Sequence, residues 1–352
     1  MNTPNELSGH SHPNAVVRHS YPLAITDHDF STALSLVMRT LPYALARFGV
    51  LLATSVATAL WWIIALGGAS WLGASVHGIA GVLWFVGWVF AFGWAWRSLV
   101  RYFLYLLKAG HIVVLTDLIT RGVIGDDHGG HEHMFAYGKR VVGERFGQVN
   151  ALLGLELMIG ATVSAFHRSL HWITSLLPVP GMRDITGLVN QVVRAATTYI
   201  DETMLSYSLA RGDEDLFRVT RDGLLYYAQN SREVLKTGLW IVVLDKLTTV
   251  VAWLVMFIPA VAIGGLFPAS VRGIAILVTA GLSFMFTWAL RSAFLEPLCL
   301  TMVMIKFHIC VHEQPINLEW DERLSSISSQ FVALKGKMAA PGMSRNPGLA
   351  AG

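Results

Sequence analysis

Asn190, Arg194, Thr197 and Asp201 recur at spacings of four, three and four, which sets them on one face of a helix. Thr198 and Glu202 flank that stripe. The preceding helix carries a looser row: Glu156, Ser164, His167 and His171. Between the two lies Leu177-Pro178-Val179-Pro180-Gly181. Each proline pushes the residue before it out of helical geometry, so the motif ends one helix and turns the chain. Counted outward from that turn, His167 and Arg194 stand at similar depth, about 20 Å along their helices. Glu156 falls with Asp201 and Glu202, deeper still. Carboxylates, a guanidinium and an imidazole so placed could meet a cation or pass a proton. Two readings are open. If the helix pair crosses a membrane, ionisable groups at that depth must face a partner or a wet cavity. Glu156, His167, Asn190, Arg194, Asp201 and Glu202 then line a polar pathway. If the pair lies along a membrane surface, its polar stripe simply faces water.

Other clusters point to less. Asp126-Asp127-His128-Gly129-Gly130-His131-Glu132-His133 combines imidazole with carboxylate, a set that suits Zn²⁺ or Ni²⁺. Its glycines leave the ligands unorganised, so a solvated loop is expected. His167 and His171 stand four apart, but Arg168 occupies the place where a zinc-hydrolase helix needs Glu. A hydrogen-bonded histidine pair is expected there, and no metal or other cofactor. There is no phosphate-cradling glycine loop, no Gly-x-Ser-x-Gly elbow and no paired CxxC. Nothing in the sequence points to an enzyme. Cys299 and Cys310 lie in an apolar segment and read as buried thiols.

The elements that must position these residues are set by apolar runs. From Phe48 to Trp96 the chain carries no Lys, Arg, Asp or Glu. A bilayer core about 30 Å thick takes about 20 helical residues to cross, so this stretch suffices for two crossings. The glycines between Gly67 and Gly78 mark the expected turn, giving spans at Phe48 to Gly67 and Ile79 to Trp96. A second apolar region reads as Leu247 to Leu266 and Gly273 to Leu290, joined at Phe267-Pro268-Ala269-Ser270 and kinked at Pro259. Hydrophobic residues make up 54% of the chain and charged ones 14%, against about 25% charged in soluble domains. The net charge of +3 is too small to suggest nucleic-acid binding.

The expected fold is therefore all-α: a polytopic helical membrane protein of six spans, or four if the central pair lies at the surface. Lys and Arg cluster after Trp96, between Arg211 and Lys236, and after Val311, which places both termini in the cytoplasm. The residues divide into a polar N-terminal segment (1–45) and a first hairpin with a long helical arm (46–120). Central amphipathic helices (121–237), a last hairpin with a long arm (238–312) and a cytoplasmic tail (313–352) follow. Residues 1–45 lack the basic start and apolar core of a cleavable signal, so the first span is expected to direct insertion. The expected location is a cell membrane, the inner membrane if the source is bacterial.

Phe92-Gly-Trp-Ala-Trp-Arg-Ser98 echoes Phe286-Thr-Trp-Ala-Leu-Arg-Ser292. Each heptad closes the second arm of an apolar hairpin, and each is followed by a further apolar stretch. The arms are expected to continue as helices past the membrane face, with Glu296-Pro297 bending the second. A parallel duplication would explain the echo, as would chance between aromatic-rich segments.

Thr220-Arg221-Asp222-Gly223, Tyr226 to Asn230 and Val242-Val243-Leu244-Asp245-Lys246 before an apolar span resemble choline transporter-like proteins over residues 195 to 312. The N-terminal half shows no comparable match, and that family has more spans and large external loops. The Tyr199-Ile-Asp-Glu to Tyr226-Tyr-Ala-Gln-Asn stretch is also similar to uncharacterised prokaryotic multi-span proteins. The first resemblance implies transport of an organic cation such as choline or ethanolamine, whose charge suits aromatic faces. The expected function is small-solute transport. The alternative is a non-transporting membrane scaffold or envelope-assembly partner. Expected partners are the lipid bilayer, a small organic cation, and a second copy or another membrane protein, with no nucleic acid.

Overall fold

The computed structural model describes residues 21–125, 133–146, 158–167, 191–192, 194–195, 198–212 and 215–338. A short amphipathic helix, α1 (Phe30–Arg39), leads into α2 (Leu41–Ser75). Helix α3 (Gly78–Ala95) returns and runs through a π-helical turn (Trp96–Val100) into α4 (Arg101–Thr120). After α5 (Met134–Phe146), a helical segment at 158–167 and α6 (Ile200–Arg211), the arrangement repeats. Helix α7 (Leu216–Gln229) leads into α8 (Ser231–Gly265); α9 (Arg272–Leu290) then passes through a π-helical turn (Arg291–Leu295) into α10 (Glu296–Val311). Helices α11 (Glu319–Ile327) and α12 (Ser329–Met338) follow.

Four helices are long and apolar enough to cross a membrane: Leu41–Ser75, Gly78–Thr120, Ser231–Gly265 and Arg272–Val311. The central pair that would raise the number to six falls largely outside the described residues. The two long arms are 43 and 40 residues, about 60 Å or more each and twice the hydrocarbon thickness. Their π turns begin after 18 and 19 residues, close to one membrane thickness from the hairpin tips.

Two breaks match. Thr40 ends α1, and its hydroxyl donates to the Leu36 carbonyl at 3.1 Å; Pro42 cannot continue the old helix and starts the new one. Asn230 ends α7 and donates its amide to the Tyr226 carbonyl at 3.0 Å, again four residues back. Both helices that follow are 35 residues long. The short lead-in, the long first arm and the interrupted second arm thus occur twice in the same direction.

The glycine-rich patch is not the turn that the sequence suggests. Helix α2 runs through Gly67, Gly68 and Gly73 to Ser75, and the chain reverses only at Val76 and His77. The His77 imidazole accepts from the Ile79 amide at 3.2 Å and caps α3. A Cβ on Gly81 would meet the Ala69 carbonyl oxygen, and the Gly73 Cα at 3.1 Å. Small residues here let two backbones touch, a packing device in apolar surroundings that leaves the helix intact. In the second hairpin Gly264 lies against Ile276 in the same way, where an added Cβ would stand 2.7 Å from its Cα.

Within each hairpin the two arms pack along their length, and α2 also packs on α9. There Phe48 meets Phe286 edge-on at 5.5 Å, and Leu51 is buried with Ala289 and Ala293. No comparable packing joins α3 to α8, so the four stand in the order α3, α2, α9, α8. Only 6–17% of the most apolar window of each is buried inside the chain. The large buried cores lie elsewhere. One joins α1, α4, α5 and α10; the other joins α6, α7, α10, α11, α12 and the 158–167 segment.

Candidate functional site

The site is built where α4, past its π turn, meets the central helices. Helix α6 begins at Ile200 with Asp201 and Glu202 in its first turn, where carboxylates suit the helix dipole. It stops at Gly212, whose φ of 80° favours glycine. Asp215 then caps α7 by accepting from the Phe217 amide at 2.9 Å. This short reversal sets α7 beside α6, which packs against α4.

Between them lies a cavity of about 140 Å³. Helix α4 lines it with Tyr105, Lys108, Ala109 and Ile112, and α6 with Asp201, Glu202, Met204, Leu205 and Ser208. Leu216 and Thr220 of α7, with Ile159, complete the wall. Most of that wall is apolar; the polar groups converge on one side. Lys108 donates to Glu202 Oε1. The Glu202 side chain is 8% exposed and that of Lys108 30%. Glu202 Oε2 is buried with no hydrogen-bond partner, and so is Thr220 Oγ1. A buried carboxylate oxygen without a donor is costly in a low-dielectric setting. Together they form a preformed place for a group that donates hydrogen bonds or carries positive charge.

Four of the six sequence-selected residues fall among the described ones, and they stand in different places. Asp201 and Glu202 line the cavity. His167 is buried elsewhere, with Nε2 at 2.7 Å from the Tyr227 hydroxyl. Burial lowers its pKa to about 4, so it is neutral at pH 7. Arg194 is exposed, and only its carbonyl is engaged, by the Thr198 hydroxyl at 2.7 Å. Within the helix expected from Ile185 to Leu209, a turn falls at Tyr199, and Asp201 and Glu202 stand in the first turn of α6 after it. Glu156 and Asn190 lie outside the described residues, as do His171 and most of the Asp126 to His133 loop. Among the described residues no group of three His, Cys, Asp or Glu could hold a metal ion.

Three polar arrangements escaped the sequence reading. Lys108 was read only as one of many basic residues after a span. The second is a layer of ion pairs at the π turn of the second arm. Asp245 accepts from Arg291 Nε at 2.7 Å, Arg47 of the first hairpin pairs with Glu296, and the Ser292 hydroxyl donates to Glu296 at 2.8 Å. The third is a buried chain. The Tyr21 hydroxyl is 2.7 Å from His308 Nδ1, His308 Nε2 is 2.8 Å from Ser206 Oγ, and Ser206 is 2.8 Å from the Thr116 hydroxyl. No local spacing foretells such contacts, which join residues 90 or more apart in sequence.

These features define an all-helical protein with four helices long and apolar enough to cross a membrane and a carboxylate-bearing cavity beyond their π turns. The chain matches no protein-family model, no curated protein and no solved structure.

Proposed function

We propose that this is a multi-pass cell-membrane protein that transports a small organic cation, and that the cavity around Glu202 is the solute's seat on the cytoplasmic side. One observation carries the reading: Glu202 lines the cavity, and its carboxylate is buried with Oε2 lacking a partner. The Lys and Arg beyond the π turns support a cytoplasmic bundle, since the first hairpin's tip has neither. Lys108 follows Arg97 by about 16 Å of helix, so the seat belongs to a vestibule below the slab. The resemblance to choline transporter-like proteins supports choline and ethanolamine as first probes. In proteoliposomes, labelled choline or ethanolamine should accumulate, and Glu202→Gln should remove that uptake while insertion and thermal unfolding stay normal. Uptake unchanged by the substitution refutes the assignment.

The scaffold reading draws on a different observation, the small buried fraction of the most apolar windows beside two large cores built on other stretches of the same long helices. It expects no uptake of either probe and a stoichiometric companion retained in mild detergent.

A further inference from the structure

The occupant of the Glu202 seat in this structure is part of the chain. Lys108 brings an ammonium to Glu202 Oε1 on a four-carbon stem, while Oε2 of the same carboxylate and Thr220 Oγ1 stay bare. An alkylammonium solute has the same parts: a donor cation on a short apolar chain. The wall offers the chain apolar contact from Ala109, Ile112 and Leu205. A carboxylate can hold two ammonium donors, but Glu202 is 8% exposed and its partner 30%, so there is little water to screen two cations side by side. Lysine is also suited to leaving. Its stem is flexible and its charge is strongly hydrated, and its partial exposure gives it a path to solvent.

We propose that Lys108 is a tethered competitor for the solute, holding the seat closed until an ammonium displaces it. This rests on the reading of the cavity as a cation seat. Apparent affinity is the intrinsic affinity reduced by the fraction of time the seat is free. If Lys108 holds it about nine-tenths of the time, removing the ammonium tightens binding about tenfold. Arginine at the same position offers a planar fork that can engage both carboxylate oxygens, so it should hold the seat more firmly and weaken binding.

The test is calorimetric titration of ethylammonium chloride into the full-length protein in detergent micelles, with thermal unfolding recorded for each variant. Expected are binding about tenfold tighter for Lys108→Met and weaker for Lys108→Arg, with loss for Glu202→Gln. Lys108→Met equal to or weaker than the native protein overturns the competitor role, and if Glu202→Gln still abolishes binding the cation seat itself survives. No binding to any folded variant, Lys108→Met included, removes seat and competitor together. Should Lys108→Met fail to fold, Lys108→Arg decides: weaker binding supports the competitor, and equal or tighter binding refutes it.

Discussion

The two hairpins share a backbone plan and differ in charge. Their first arms are equally long, and their second arms are interrupted after nearly the same distance. Aligned arm by arm, Arg97 corresponds to Arg291 and Ser55 to Asp245. Arg291 is tied to Asp245. Arg97 is exposed, and Ser55 bonds to its own helix at the Leu51 carbonyl instead, at 2.8 Å. The second hairpin also holds Glu296, which reaches Arg47 of the first. A repeated scaffold has thus become asymmetric at one layer: two carboxylates stand on the second copy, and one of them, Glu296, fastens the two copies together. The backbone plan alone does not demand ion pairs at the π turns, since the first arm forms its turn without one.

The largest effect should come from what the hairpins share. Gly81→Val and Gly264→Val each force a side chain into a neighbouring backbone, at a cost of about 3 kcal/mol. Gly67→Ala, with open space around it, should be nearly silent. Unfolding in mixed micelles with denaturant checks this, and equal tolerance at all three positions would remove the close-packing account.

A smaller effect should separate the copies. Asp245→Asn breaks a half-exposed pair and should cost roughly 1–2 kcal/mol, while Arg97→Gln should stay within about 0.5 kcal/mol. Ser55→Asp should bring the first hairpin closer to the second by supplying the missing partner, detectable as a charge coupling between positions 55 and 97 in a double-mutant cycle. Equal losses at Arg97 and Asp245 would contradict the asymmetry.

The smallest effect concerns the lead-in helices. Only α7 is joined to a buried histidine of the central segment, through Tyr227 and His167. That histidine has its pKa depressed to about 4 by burial, against about 6.5 unfolded. Above pH 6.5 both states are neutral and the group contributes no pH dependence. Below it the unfolded chain takes up the proton first, so stability falls as pH drops toward 4. At pH 5.5 the loss should be about 1 kcal/mol relative to pH 7.5. His167→Gln should make that part of the melting-temperature profile shallower by this one group's share, and an unchanged slope would place the titration elsewhere.

Much of this plan could be read from the chain itself. Apolar length alone gives the four long helices, and the Phe-x-Trp-Ala-x-Arg-Ser echo marks the two π turns. The continuity of both arms past Arg97 and Arg291 follows from the lack of any turn residue there. Glycine misled at positions 67 to 73, because its use as a chain breaker and its use as a close-packing residue look identical without a partner helix in view. The candidate site was half legible. Asp201 ends a polar stripe at helical spacing and Glu202 flanks it. Their partner Lys108 lies on a helix distant in sequence, and only packing brings it near. Arg194 belongs to the same stripe, and the turn at Tyr199 falls between it and Asp201. His167, a candidate for the polar pathway in the sequence, is hydrogen-bonded to Tyr227, apart from the cavity.

The unbroken helix from Gly78 to Thr120 has a mechanical implication. Lys108 and Trp84 ride on one stiff rod, with only a single wider coil between them. A push on the backbone around Lys108 is therefore carried along that rod to the apolar arm around Trp84, the way an oar blade answers its handle.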